Sequence, residues 1–153
     1  ARRIRKALAE RHGEDHIDAH FIAFDTICSA TQNRQDAVVE LVRRGLDLML
    51  VVGGYNSSNT GHLCEISEKF CPSYHIDDAS ALLSTRLIRH KRIDEREPIT
   101  TENWLSNDVG RIGITAGAST PNRAIGETIN RLLDLLGLAL PVELLNADTP
   151  TGM

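Results

Sequence analysis

The chain has 153 residues, of which 41% are hydrophobic and 25% charged, the composition and size of one packed domain. These proportions exclude a disordered chain, a collagen-like chain and a coiled-coil rod. The net charge of −4 argues against a nucleic-acid module, and no apolar run approaches the ~20 residues that a membrane helix needs.

The first half of the chain alternates helices and strands. Hydrophobic periodicity predicts, in order, a helix over 1–12, a short buried strand over 20–24, a polar turn at 25–31, a helix over 32–44 and a strand over 47–52. Gly45 is expected to close the second of these helices. The run at 47–52 is continuously apolar, which is typical of a strand buried in a parallel sheet.

The second half continues the alternation. It predicts a polar loop at 53–60, a helix over 60–70, a strand over 73–76, a helix over 79–84, a strand over 111–115 and a helix over 121–136. Residues 89–108 are charged, and we expect an irregular surface excursion anchored by Trp104. The helix positions predicted to face inward are Ala37, Val38, Leu41, Val42, Leu63, Ile66, Phe70, Ile125, Ile129, Leu132, Leu133 and Leu136.

This regular alternation predicts an α/β fold. We expect a parallel sheet of about four strands with helices on both faces. In such a sheet every strand-to-helix loop emerges at the same edge, where ligands bind. Three of the predicted loops carry small polar or thiol groups: Cys28, Ser29 and Thr31; Asn56, Ser57, Ser58 and Asn59; Ser119 and Thr120.

Each of these loops precedes a helix N-terminus, where unpaired N–H groups and the helix dipole favour an anion. Hydroxyl and amide groups converging there would suit a phosphate or diphosphate, and Gly53, Gly54 and Gly117 would allow close backbone approach. The structural alternative is that these side chains only cap helices. Nucleotide binding has little support, since the chain has neither a Walker-type lysine motif nor a Gly-x-Gly-x-x-Gly fingerprint.

The chain has three cysteines, and an odd number without a secretory signal is typical of the reducing cytoplasm. Cys28 lies at the predicted edge, where a thiolate could ligate metal or attack a substrate; the alternative is a small buried hydrophobe. We interpret Cys64 and Cys71 as structural, because their spacing is too wide for a Cys-x-x-Cys clip. The isolated His62, His75 and His90 carry no signal.

Three segments together resemble one family. They are residues 25–35, residues 51–60 with His62 and Leu63, and residues 113–121. Their order and spacing are similar to the C-terminal part of the LytB family of 4-hydroxy-3-methylbut-2-enyl diphosphate reductases, over about residues 25–136.

The resemblance implies an iron–sulfur oxidoreductase of isoprenoid biosynthesis. Such an enzyme removes the allylic hydroxyl of its diphosphate substrate with two electrons and protons, the last step of the non-mevalonate pathway, and forms isopentenyl and dimethylallyl diphosphate. Its oxygen-sensitive [4Fe-4S] cluster is held by three cysteines, one from each of three similar α/β domains. A ferredoxin or flavodoxin supplies the electrons.

The resemblance also implies roles for single residues. Cys28 matches a cluster ligand, and Thr31 matches a position close to the cluster without an assigned contact. The residues that match the diphosphate site are Ser57, Ser58, Asn59 and Ser119. Asn59 would in addition reach toward the hydroxyl end of the substrate.

The family's other two cluster cysteines, its substrate-binding histidines and its catalytic glutamate belong to a region upstream of the resemblance. The chain also begins with Ala inside a predicted helix. We therefore expect a fragment: a remnant of the preceding domain at 1–24, the C-terminal α/β domain at 25–140 and a tail at 141–153. With one cluster ligand, half a diphosphate site and no catalytic residue, the fragment alone should be inactive and lack the cluster.

Two alternatives and one consequence stay open. The chain could be a phosphate-binding or scaffold module derived from the family without catalysis. A hydrolase or transferase using Cys28 as nucleophile is the weaker alternative, because no histidine lies in the three loops. A face left exposed by missing domains would favour a homodimer.

Overall fold

A computed structural model describes residues 22–23 and 31–138. The helix predicted for 1–12, the loop with Cys28 and the tail predicted for 141–153 lie outside these ranges. The elements in chain order are β1 (Ile22–Ala23), α1 (Thr31–Arg43), β2 (Leu48–Val52), α2 (Ser58–Glu68), β3 (Ser73–Ile76), a 3-10 turn (Ala79–Ala81), β4 (Leu87–His90), β5 (Ile99–Glu102), β6 (Ile112–Ala116) and α3 (Asn122–Leu135).

The main sheet is parallel throughout, with strand order β1-β6-β2-β3. Met49 of β2 lies opposite Ser73 on one side and Gly113 on the other. The predicted α/β fold with a parallel sheet of about four strands is confirmed. Three of its strands have four or five residues, whereas β1 contributes only two residues to the described part.

The sheet is covered on both faces, as predicted. Alternate residues of β2 point to opposite sides, since Leu48, Leu50 and Val52 belong to one core cluster and Met49 and Val51 to the other. Helices α1 and α2 cover the Met49 face through aliphatic side chains. Helix α3, the 3-10 turn, strand β4 and Trp104 cover the Leu50 face.

The helix predicted for 79–84 is wrong. Asp78 does cap a turn, accepting a hydrogen bond from the Ser80 amide at 2.8 Å, but only Ala79–Ala81 form a single 3-10 turn. The chain then leaves the helical path at Leu82, which is buried and bridges to Ile88 of β4. Tertiary pairing thus overrides a weak local helix signal.

The irregular excursion predicted for 89–108 is also wrong, because it contains most of an antiparallel strand pair. Strand β4 pairs with β5, with His90 opposite Ile99. The predicted anchor is confirmed: Trp104 is 3% exposed, and its indole Nε1 donates to the carbonyl of Ser84 at 2.8 Å.

Most predicted inward positions are buried or half-buried, but Phe70 and Leu136 are wrong, being 52% and 42% exposed. Both follow the last residue of their helix, where the helical periodicity no longer applies. Gly45 closes α1 as expected, with a φ of 81° in the left-handed region that favours glycine.

Candidate functional site

The loops that follow β2 and β6 lie side by side at the carboxyl edge of the sheet. The amide of Gly117 donates to the carbonyl of Val52 at 2.9 Å, and the Thr120 hydroxyl donates to the same oxygen at 3.0 Å. The predicted meeting of the second and third polar loops is confirmed. Strand β1 runs parallel to β6, so its carboxyl end lies at this edge too, although the loop with Cys28 lies outside the described residues.

The chain diverges at this edge. Helix α2 leaves β2 toward one face of the sheet, and α3 leaves the neighbouring β6 toward the other. Such a switch point opens a crevice outside the strand ends, the usual ligand site of open parallel sheets. Two helix N-termini therefore flank the position where this topology places a ligand crevice.

Ser57 is the N-cap of α2. Its Oγ accepts hydrogen bonds from the Thr60 amide at 3.3 Å and from the Thr60 hydroxyl at 2.9 Å. The capping interpretation thus holds for Ser57. Ser58 and Asn59 are exposed and begin the helix, where amide N–H groups lack an intrahelical acceptor.

The loop before α3 differs from the loop before α2 because no side chain caps its helix. Helix α3 has Pro121 at its N-cap position and no side-chain cap. Thr120 directs its hydroxyl to Val52 instead, and the exposed Ser119 makes no hydrogen bond to any part of the chain that the structure describes. Capping therefore does not account for Ser119, whose hydroxyl can donate to a ligand.

Gly53 and Gly117 are needed because the buried Thr60 side chain lies between them. A Cβ on Gly53 would come within 2.6 Å of Thr60 Oγ1, and a Cβ on Gly117 would overlap the same oxygen. Gly54 differs, since a Cβ there would meet nothing within 4 Å. The fit against Thr60 therefore requires glycine at positions 53 and 117 but not at position 54.

Arg34 is a residue of this edge that our sequence analysis missed. Its Nη1 donates to the carbonyl of Ala116, at the end of β6, at 2.8 Å. Its buried Nε has no acceptor in the described part of the chain. A signal existed: Arg34 follows closely on the N-terminus of α1, where the helix dipole disfavours a cation.

Two side chains from outside the loop after β2 form hydrogen bonds to its backbone carbonyls. Nε2 of His75 bonds to the carbonyl of Gly53 at 2.8 Å, and Lys91 Nζ donates to the carbonyl of Tyr55 at 3.1 Å. Burial lowers the pKa of His75, which favours the neutral ring that donates from Nε2. Burial, followed by the charge of Asp77, raises the pKa of Tyr55 to about 12, so its phenol stays protonated.

The described residues contain no group of three or more His, Cys, Asp or Glu side chains that could hold a metal ion. Cys64 and Cys71 belong to the core beneath α1 and α2 and are free thiols. Burial raises the pKa of Cys64 to about 12 and also raises that of Cys71, whereas a cluster ligand must be a thiolate. Their burial agrees with the structural role predicted for both.

A family model described as LytB protein matches residues 1–133. The chain belongs to the LytB family. It is 46% identical over 134 residues to a 4-hydroxy-3-methylbut-2-enyl diphosphate reductase of Gloeobacter violaceus, and 47% identical over 135 residues to one of Thermosynechococcus vestitus. These alignments cover 87% and 88% of the chain but 32% and 33% of the relatives. The chain therefore spans about a third of the length of these LytB relatives.

Solved structures agree with this membership. One, a structure of (E)-4-hydroxy-3-methyl-but-2-enyl diphosphate reductase, is 34% identical with a TM-score of 0.51, covering 71% of this chain and 32% of that one. The Plasmodium falciparum reductase is 27% identical with a TM-score of 0.50, over 70% of this chain and 28% of that one. Among the described residues of this LytB chain, no helix combines the length and the apolar content that a membrane span requires.

Proposed function

We propose that the chain is the C-terminal third of a 4-hydroxy-3-methylbut-2-enyl diphosphate reductase that works in the cytoplasm. The observation that carries this proposal is the 46% identity to such a reductase across 87% of the chain. The crevice between the ends of β2 and β6 supports it, since an anion of this kind needs convergent N–H and hydroxyl donors.

In this proposal the chain provides half of the diphosphate site. Ser57, Ser58 and Asn59 bind from the first turn of α2, and Ser119 binds from the loop before α3. All four carry groups that donate to phosphate oxygens. Asn59 also reaches toward the hydroxyl that the reaction removes. The positive ends of both helix dipoles add to the attraction.

The mechanistic contribution of these residues is to hold the substrate by the end that does not react. Binding energy from a remote group orients the reacting carbon and lowers the entropy that the reaction must lose. Arg34 contributes by fixing the carbonyl at the end of β6. The loop that carries Ser119 begins at that strand end.

The family's [4Fe-4S] cluster is the remaining requirement, and the described residues do not fit it. They offer no thiolate at the crevice, because Cys64 and Cys71 are buried elsewhere as thiols. We propose Cys28 as one ligand, with Thr31 near the cluster and the other ligands from the two thirds of the family's length that the chain does not match. A ferredoxin or flavodoxin would supply electrons.

We also propose the domain assignment, with 1–24 as the end of the preceding domain, 25–140 as the third domain and 141–153 as a tail. On this basis the chain alone should bind diphosphate weakly and show no turnover. The face that meets the other domains would then be free to form a homodimer.

The test uses a chimera in which this chain replaces the matching third of the Gloeobacter violaceus relative. We expect the chimera to hold the cluster, seen by its visible absorption, and to consume substrate with a reduced dye as donor. Ser119→Ala should raise KM about tenfold, the loss of one hydrogen bond to a charged group, without changing the absorption. A chimera that holds the cluster but consumes no substrate would contradict the reductase proposal.

Cys28→Ser in the same chimera tests the ligand assignment. Because oxygen is a poor replacement for sulfur at iron–sulfur clusters, we expect the visible absorption and the rate to fall together. Cys64→Ser is the matched control, since that thiol is buried in the core, and should leave the absorption of the folded protein unchanged. An unchanged rate in Cys28→Ser rejects the assignment.

A non-catalytic phosphate-binding module is the second candidate. The observation that favours it is that the N-termini of α2 and α3 lie at the same edge of the sheet, an arrangement that can attract phosphate without any catalytic group. Pyrophosphate binding by the chain, together with an inactive chimera that holds its cluster, would support this alternative.

A further inference from the structure

The hydroxyl of Ser57 has an unusual constraint at the proposed diphosphate site. A serine hydroxyl has two lone pairs that accept and one proton that it can donate. Both lone pairs of Ser57 Oγ are engaged by one residue, through the Thr60 amide at 3.3 Å and the Thr60 hydroxyl at 2.9 Å. No residue in the described ranges accepts the Ser57 proton.

Thr60 itself does not reach the crevice. Its side chain is fully buried, whereas Ser57 is half-buried and Ser58 and Asn59 are exposed. The space around its Oγ1 is so tight that neither Gly53 nor Gly117 could carry a Cβ. Thr60 is therefore held between the two loops, with its hydroxyl directed at Ser57.

We propose that Thr60 is a positioning residue that makes Ser57 an obligate hydrogen-bond donor. With its lone pairs engaged, Ser57 can contact a ligand only by donating its proton. Phosphate oxygens accept such a proton, while ammonium groups and other pure donors do not. The pair thus selects for a group that accepts a hydrogen bond at the N-terminus of α2, as phosphate oxygens do, and this inference rests on the proposed function.

The test measures binding of inorganic pyrophosphate to the 153-residue chain by NMR titration at fixed salt. Thr60→Val keeps the shape and removes the hydroxyl, which frees one Ser57 lone pair. We expect affinity to fall about tenfold. Thr60→Ser keeps the hydroxyl and should bind within twofold of the original chain.

Thr128→Val is the matched control. Thr128 is also a fully buried threonine, and its hydroxyl donates to the carbonyl of Ala124 within α3. We expect this variant to lose stability but to keep its affinity for pyrophosphate. If Thr60→Val does not fold, the pair Thr60→Ser and Thr60→Ala answers the same question, since the two variants differ by one hydroxyl.

A double-mutant cycle separates positioning from general destabilisation. If Thr60 acts through Ser57, Thr60→Val should have no further effect on affinity in a Ser57→Ala background. Additive losses, or unchanged affinity in Thr60→Val, would overturn the inference while leaving the proposed function intact. Failure of the original chain to bind pyrophosphate would instead contradict the half-site itself, and the inference with it.

Discussion

At the level of single residues, Thr60 links the two loops of the candidate site. It occupies space that a side chain at Gly53 or Gly117 would need, and its polar atoms engage Ser57. Packing and ligand recognition are thus combined in one buried side chain. Changes at any of these positions should affect both properties.

Gly117→Ala tests this coupling. Because its Cβ would overlap Thr60 Oγ1, we expect the free energy of unfolding to fall by about 1–3 kcal/mol, the usual cost of overpacking. In a Thr60→Ala background, which lacks that oxygen, Gly117→Ala should lower the free energy of unfolding by much less. Urea unfolding followed by circular dichroism measures both.

Gly54→Ala is the control for that experiment, since a Cβ at Gly54 meets nothing within 4 Å. We expect it to change stability by less than about 0.5 kcal/mol. An equal loss in Gly54→Ala and Gly117→Ala would contradict the packing argument.

The residues of the site differ in how far the sequence could identify them. Ser57 and Ser119 were predictable as residues of this edge because they lie in the polar loops that follow two apolar runs, where strand ends are expected. His75 and Lys91 were not, because each reaches the loop after β2 from a different strand or loop. Such contacts depend on strand register and packing, which no local pattern records.

At the level of elements, the strand pair β4–β5 is the least expected part of the fold. Residues Ile88 and His90 point into the molecule, while Thr100 and Glu102 are exposed. Only one side of this two-stranded sheet is buried. Residues 87–90 and 99–102 therefore contain too many polar side chains to be recognised as strands from the sequence. Such a small sheet needs packing against other elements, which Trp104 provides.

Trp104→Ala should therefore destabilise more than a local loop change would. We expect the free energy of unfolding to fall by about 3–5 kcal/mol, from the cavity and the lost indole bond to the Ser84 carbonyl. Circular dichroism must follow the unfolding, because Trp104 is the single tryptophan. Ile93→Ala is the control, since Ile93 is 54% exposed and should cost far less.

At the level of the whole molecule, the alternation of elements was sufficient to predict a parallel sheet covered on both faces. The strand order was not predictable, because β6 inserts between β1 and β2 although the other two precede it by many residues. Local periodicity identifies strands but carries no information on which strands pair with one another in the sheet. That order is what creates the crevice.

Two buried histidines should make global stability depend on pH. Burial lowers the pKa of His75 and of His90 below the ordinary 6.5, with Arg92 adding to the effect at His90. As the pH falls below about 6.5, the unfolded chain takes up protons first, so stability is lost. The stability contributed by the two neutral histidines is fully present above that pH.

Urea unfolding between about pH 7.5 and 5.5 measures this slope. Each histidine can contribute up to about 1.4 kcal/mol per pH unit. His75→Gln should reduce the slope, and His75→Gln with His90→Gln should reduce it further. A slope that both variants retain would show that other groups control it.

The position of β6 has a consequence for synthesis on the ribosome. Strand β6 pairs with both β1 and β2, yet it spans Ile112–Ala116 and is made long after them. Until it emerges, a nascent chain holds β2 with one backbone edge unpaired, the kind of edge that attracts other chains. The late arrival of the central strand makes the growing polypeptide, rather than the finished domain, the form most in need of a chaperone.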